Sequence, residues 1–306
     1  MYSGNKNTED INTLMNLLKN LNKDYIQLSD KTKRYRAWCS LLQHLRNRDI
    51  KRILTRLRIL VGEKIYLKSK TSRKKNYADI PNYFSTEKII IYTAIYGNYD
   101  RIRDPGIVPD NCKFIIYTDN MYTNSSIWER REYHSKYFDA LSDLEKNRFI
   151  KMHPHLLFPE SEYSVYLDGS IWIISDLTEL VNYIPKEGFA FHIHSSRNCI
   201  YDELRAAYIY KKIDKNEFNK FKKFITESNM PTAYGMLECG IIARKHHELL
   251  CLKIMNEWWD MFERYIKRDQ ISLPYILFKN GISVDEVGTL GNDIYHNYSF
   301  RINEHT

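Results

Sequence analysis

The chain has no Cys-x-x-Cys pair, no long apolar run and no internal repeat, and each absence removes a class of protein. Its five cysteines (Cys39, Cys112, Cys199, Cys239, Cys251) are odd in number and scattered. That pattern argues against a disulfide framework or a structural zinc site. No stretch resembles a signal peptide, and none reaches the roughly 18 apolar residues a bilayer span needs. The expected location is therefore cytoplasmic. No low-complexity tract interrupts the chain.

What is present is an uneven charge. The 306 residues are 43% hydrophobic and 27% charged, as in a soluble globular protein. A net charge of +8 invites a polyanion-binding reading. Residues 31–75, however, carry sixteen Lys or Arg against two acids, while residues 1–30 sum to −1 and 76–306 to −5. The basic stretch pairs its charge with an apolar stripe through Trp38, Leu41, Leu42, Leu45, Ile50, Ile53, Leu54, Leu57 and Leu60. A stripe with a basic back suits an anionic membrane surface, peripherally at its inner face, better than nucleic acid. Upstream, Ile11, Leu14, Leu18, Leu21, Tyr25 and Leu28 form a heptad seam, which fits either homo-oligomerisation or packing on the protein's own body. Pro81 marks a boundary between a helical basic extension, 1–80, and a second domain, 81–306.

From residue 87 the texture is short apolar runs alternating with amphipathic stretches. Strands are expected at 88–94, 113–118, 164–167, 189–194 and 240–243, and helices at 139–152, 201–212, 214–228, 246–265 and 269–279. Such alternation predicts an α/β fold with a mixed, mainly parallel sheet flanked by helices. Ligands of these sheets gather beyond the carboxyl ends of the strands, and three of the runs end in loops carrying Asp100, Asp119 and Asp168.

Asp168 follows a strand and precedes a Gly-Ser turn. A strand-end carboxylate suits Mg²⁺ or Mn²⁺, and equally caps a turn. Arg148 and Lys151, three apart on a helix, share a face that could clamp a diphosphate or simply be solvated. His192 and His194 alternate on a strand and so point to one face; as a metal pair they would need a third ligand. Arg197 could hold a phosphate or an internal carboxylate. Glu238, set between apolar residues, needs a partner if buried. Asp269-Gln270 opens a helix, where Asp could be an N-cap or grip sugar hydroxyls.

Taken in order, Tyr92–Asp100, Arg148–Lys151 with Pro154–Pro159, Tyr166–Ser170, His194 with Arg197–Glu203, Gly235–Glu238, Trp258-Trp259 and Arg268–Ser272 resemble a known family. It is the glycosyltransferase-like domain shared by plant Golgi proteins of mucilage synthesis and many bacterial surface-polysaccharide proteins. The resemblance covers about residues 87–280 and implies a GT-A-like, Rossmann-type nucleotide-sugar fold. It places Thr93, Ala94, Tyr96, Gly97, Tyr99 and Asp100 along the nucleotide pocket. Arg148, Lys151, His194 and Arg197 would face the phosphates, with Asp168, Gly169, Ser170 and Gln270 completing the donor site. Asp168 stands where GT-A enzymes place a metal-binding Asp-x-Asp, but the third position is Ser170. His296 is the further metal-ligand candidate, for Mn²⁺ or Mg²⁺. Glu238 and Asp269 are the catalytic candidates.

The function implied is transfer of a sugar from a nucleotide-sugar donor, a UDP-sugar favoured, to a glycan or lipid-linked glycan in surface-polysaccharide synthesis, with retention favoured. The alternatives are a non-catalytic nucleotide- or glycan-binding scaffold, which Ser170 keeps open, and nucleic-acid binding through the basic segment.

Overall fold

A computed structural model describes residues 4–47, 50, 53–54, 84–121, 125–291 and 293–303. Most of the basic stretch, and with it the membrane-surface expectation, lies outside the described residues. Among the described residues no helix is long and apolar enough to cross a membrane.

The chain opens with helix α1 (Gly4–Arg46). Strands β1 (Ile89–Ile95), β2 (Cys112–Thr118) and β3 (Glu129–Arg131) follow, then helices α2 (Lys136–Asp139), α3 (Asp143–Met152) and α4 (Pro154–Leu157). Next come β4 (Tyr163–Leu167), β5 (Ile171–Ile173), a 3₁₀ turn at 178–183 and β6 (Phe189–Ile193). Helices α5 (Ile200–Ile209) and α6 (Lys215–Glu227) lead to β7 (Leu237–Lys245), α7 (Leu249–Arg264) and α8 (Asp269–Lys279). Strands β8 (Gly288–Gly291) and β9 (Phe300–Ile302) close the order.

Seven strands form one sheet in the order β3-β2-β1-β4-β7-β6-β8. The β3–β2, β2–β1, β1–β4 and β6–β8 pairs are parallel, and β7 runs antiparallel to both neighbours. The expected mixed, mainly parallel α/β sheet is therefore what forms. Every residue of β1 is buried, because alternate side chains serve two cores. Ile90, Tyr92 and Ala94 join Tyr166, Phe191 and Trp258 under the helices, while Ile89, Ile91 and Ile95 join Phe114, Val165 and Phe300 on the other face. Each isoleucine or phenylalanine among them contributes roughly 1.5–3 kcal/mol by leaving water. A strand with two buried faces reads as a continuous apolar run, which is why β1, β2, β4 and β6 were legible.

Helix α1 lies against β9, where the heptad seam contributes Tyr25, whose ring centre is 3.8 Å from the Arg301 guanidinium. Among the described side chains of α1, Met15, Asn22 and Ile26 are buried, whereas Leu14, Leu21 and Leu28 are exposed, Leu28 at 62%. Asn22 Nδ2 donates to the carbonyls of Tyr298 (2.9 Å) and Phe300 (2.7 Å), and Arg301 Nε donates back to Asn22 Oδ1 at 3.0 Å. A buried amide with all of this satisfied ties the extension to the domain. Own-body packing therefore uses mainly a face adjacent to the seam; Leu14, Leu21 and Leu28 face solvent and Leu18 is half-buried.

Candidate active site at the carboxyl edge of the sheet

Parallel strands place their carboxyl ends at one edge, and antiparallel β7 brings its amino end there too. Asp119 after β2, Asp168 after β4, His194 after β6 and Glu238 at the start of β7 therefore share one edge. Gly169 allows the turn after Asp168 to sit tightly: a Cβ there would lie 2.7 Å from Ile95 Cγ1. Gly97, at φ +66°, turns the chain after β1, and its N–H donates to Asp119 Oδ2 at 3.1 Å.

One cluster is built by α3, β4 and α8. A capping box, Ser142 with Glu145, starts α3, which sets its last turns against the sheet. Lys151 Nζ, with a side chain 0% exposed, donates to Asp269 Oδ2 at 2.7 Å and to Asp168 Oδ1 at 3.3 Å. Arg148 Nε lies 2.9 Å from the same Asp269 oxygen, as an ion pair without hydrogen-bond alignment. Tyr166 Oη donates to Asp168 Oδ1 at 3.0 Å. Trp258 Nε1 holds the Asp269 carbonyl at 3.0 Å. Burial opposes ionisation of Asp269, yet the charges of Arg148, Lys151 and Arg268 outweigh it and hold its carboxyl far below the usual range. Asp269 is the first residue of α8 and Arg268 occupies the cap position, so Asp269 is not an N-cap.

A second cluster is built by the loop after β6, α5 and β7. The N–H groups of Ser196 and Arg197 each donate to His194 Nδ1 at 3.2 Å. Its Nε2 lies 3.3 Å from Glu203 Oε2, without hydrogen-bond alignment. Arg197 pairs with the same carboxylate, and Gln270 Nε2 donates to Glu203 Oε1 at 3.3 Å. Against its own burial, Glu203 is brought down to about 2 by His194 and Arg197. Glu238, 3.5 Å from His194 Nδ1, goes the other way: burial pushes its carboxyl above the ordinary value.

The other expected residues are distributed as follows. Thr93, Ala94 and Tyr96 are buried, and the Ala94 carbonyl accepts from Asn147 Nδ2 at 2.5 Å; Tyr99 is exposed. Asp100 is half-buried beside Gly169. The Ser170 carbonyl accepts from the Asn303 N–H at 2.9 Å. His192 and His194 do not share a site: β6 ends at Ile193, and His194 beyond it faces Glu203 and Glu238 while His192 faces Asn297. His192 Nε2 meets Asn297 Nδ2 at 3.2 Å, and burial lowers its ring to about 3, so it is neutral. His296 has one ring nitrogen 2.5 Å from Asp293 and the other 3.0 Å from Asp30 of α1. Among the described residues no group of three or more His, Cys, Asp or Glu is arranged to hold a metal ion. Tyr166, Asn147 and Glu203 are site residues that sequence reasoning did not single out. Tyr166, two residues before Asp168, and Asn147, four before Lys151 on one helix, carried a local signal.

No curated protein matches the chain. Among solved structures, it is similar to the bifunctional glycosyltransferase WbbM in its apo form, at 12% identity and TM-score 0.40, over 72% of this chain and 40% of that one. It is also similar to the galactosyltransferase LgtC in complex with donor and acceptor sugar analogs, at 11% identity and TM-score 0.37, over 64% and 72%. Mouse xyloside xylosyltransferase 1 in its apo form gives 10% identity and TM-score 0.37, over 72% and 95%. The chain thus spans well under half the length of WbbM, and its fold is described by its own strand order. Residues 66–287 match the model of a family described as TOD1/MUCI70, glycosyltransferase-like domain. That stretch contains every residue of both clusters and most of the chain, so the protein belongs to the TOD1/MUCI70 glycosyltransferase-like domain family.

Proposed function

We propose that the chain transfers a sugar from a nucleotide-sugar donor, a UDP-sugar favoured, to a glycan or lipid-linked glycan acceptor of surface-polysaccharide synthesis. The observation that carries this is the pair Arg148 and Lys151 at the carboxyl edge, fixed on Asp269 and Asp168. Preset cations at this edge of an α/β sheet suit a leaving diphosphate, whose charge grows as the glycosidic bond breaks. The Thr93–Asp100 loop borders the same edge and is where the nucleotide base and ribose would lie. A peripheral position at an anionic inner membrane face would bring a lipid-linked acceptor to this edge.

Retention is the favoured stereochemistry. Asp269 and Glu203 are held ionised by neighbouring cations, which makes them weak bases. In a retaining reaction the departing diphosphate oxygen can take the acceptor proton, and no protein base is needed. Glu238, raised by burial, is a carboxyl suited to serve as a base in an inverting reaction.

The test is a thermal-shift panel of UDP, GDP, ADP and CDP, followed by NMR of the anomeric configuration of the product. A midpoint shift with one nucleotide, lost in Arg148→Ala, is expected. No shift with any of them sinks the reading. An inverted product, with transfer abolished in Glu238→Gln, overturns retention.

A further inference from the structure

The family resemblance implies a divalent cation at Asp168. The residues present do not fit one. Mg²⁺ and similar hard cations want several oxygens at about 2.0–2.1 Å in near-octahedral array. Asp168 offers a single carboxylate, since Ser170 stands where the second acid would be. Its Oδ1 already accepts from Tyr166 Oη and from Lys151 Nζ. The second carboxylate nearby, Asp269, faces the same ammonium at 2.7 Å and the Arg148 guanidinium at 2.9 Å. His296, the remaining candidate ligand, has both ring nitrogens against Asp293 and Asp30.

We infer that Lys151 takes the cation's place, and that the site binds its nucleoside diphosphate without a divalent metal. This rests on the glycosyltransferase reading. The Lys151 ammonium bridges a strand-end carboxylate and a helix-start carboxylate, which is the position a bridging ion would occupy. It lies 5.0 Å from the centre of the Tyr166 ring, whose π face adds to the stabilisation. The backbone beneath it is fixed as well. The Lys151 carbonyl accepts from Arg244 at 2.7 Å and from Tyr92 Oη at 3.1 Å, and both donors are fully buried. A lysine so held is not a surface charge that swings away to admit a metal. Two acids and two bases cancel in this cluster before any ligand arrives. A divalent ion entering between Asp168 and Asp269 would have to displace a fully buried ammonium from both carboxylates, and breaking a buried pair costs several kcal/mol.

The experiment is nucleotide binding by the full chain in EDTA and in MnCl₂, measured by calorimetry with the nucleotide found in the thermal-shift panel. Manganese binding to the ligand-free chain is measured alongside by electron paramagnetic resonance. The expected result is a Kd equal within about twofold in the two conditions and no saturable Mn²⁺ site. Tightening by Mn²⁺ of about tenfold or more, or saturable Mn²⁺ binding to the wild-type chain, overturns the inference while leaving the glycosyltransferase reading intact. Absence of nucleotide binding under both conditions overturns both. Lys151→Met, checked for folding by circular dichroism, is expected to lose the metal-free binding; a folded variant that binds as tightly as wild type in EDTA overturns the inference too.

Discussion

Two clusters of charge share one edge of the sheet and are balanced in opposite ways. Around Asp269, two cations meet two carboxylates. Lys151 and Asp269 are among the buried residues, and Asp168 is the one open member, with a side chain 33% exposed. Around His194, the imidazole and one arginine are set between two glutamates that burial and pairing push apart. In the first arrangement the paired cations hold Asp269 ionised and fix its geometry. In the second, pairing lowers Glu203 while burial raises Glu238, and carboxyls pushed apart in this way suit moving a proton. Anchoring and proton handling are thus separated along one edge.

The comparison predicts that breaking the first cluster costs most. Asp269→Asn removes the carboxylate shared by Lys151 and Arg148. It leaves a fully buried ammonium with only the 3.3 Å contact to Asp168. Removal of one partner from a buried pair costs about 3–5 kcal/mol. Urea denaturation should show a loss of that size; a loss below that of the Glu203 variant described next would reverse the ranking of the two clusters.

Glu203→Gln is expected to be intermediate. Glutamine keeps the shape and a hydrogen bond, but removes the charge that Arg197 and His194 face. The expected loss at neutral pH is about 2 kcal/mol, the scale of a hydrogen bond to a charged group. Its pH dependence carries a sign. The folded carboxyl lies near 2, below its ordinary 4.5. Its stabilisation is therefore full above about 4.5 and disappears as the pH falls toward about 2. The gap between wild type and variant should close over that window, and a gap that stays constant would show that Glu203 acts through packing alone.

How much of this was readable beforehand follows from what is local. The runs at 88–94 and 164–167 became β1 and β4 because both of their faces are buried. Strand β7 extends to Leu237 and Lys245, beyond the 240–243 core, because Glu238 and Lys245 are polar ends that apolar runs do not report. Strands β3, β5, β8 and β9 are three or four residues long, too short for periodicity to register. At the site, Arg148 and Lys151 sharing a helix face was a local fact. Their meeting with Asp269 was not: Lys151 and Asp269 are 118 residues apart, and only the crossovers of the sheet bring them together. The heptad seam stays largely exposed for a physical reason. Asn22, buried and satisfied by two carbonyls, docks α1 from an adjacent face and leaves Leu14, Leu21 and Leu28 outside.

The smallest effect, and the sharpest contrast between the clusters, is expected at Glu238. Its folded carboxyl is raised by burial, so the protonated form is the one the fold prefers. A carboxyl raised in this way contributes stability that is complete below its unfolded value and is lost as pH rises through its folded value. Glutamine resembles the protonated form and does not titrate. Glu238→Gln should therefore match wild type at acid pH and become the more stable protein as pH rises, by less than about 1 kcal/mol near neutrality. Glu203→Gln moves in the opposite sense, because it removes a charge the fold favours. Two glutamates that flank one imidazole would then give stability curves of opposite slope, read by thermal melts from acid to neutral pH. Parallel slopes for the two variants would show that His194 treats both carboxyls alike, and the division between an anchored and a proton-handling cluster would fall.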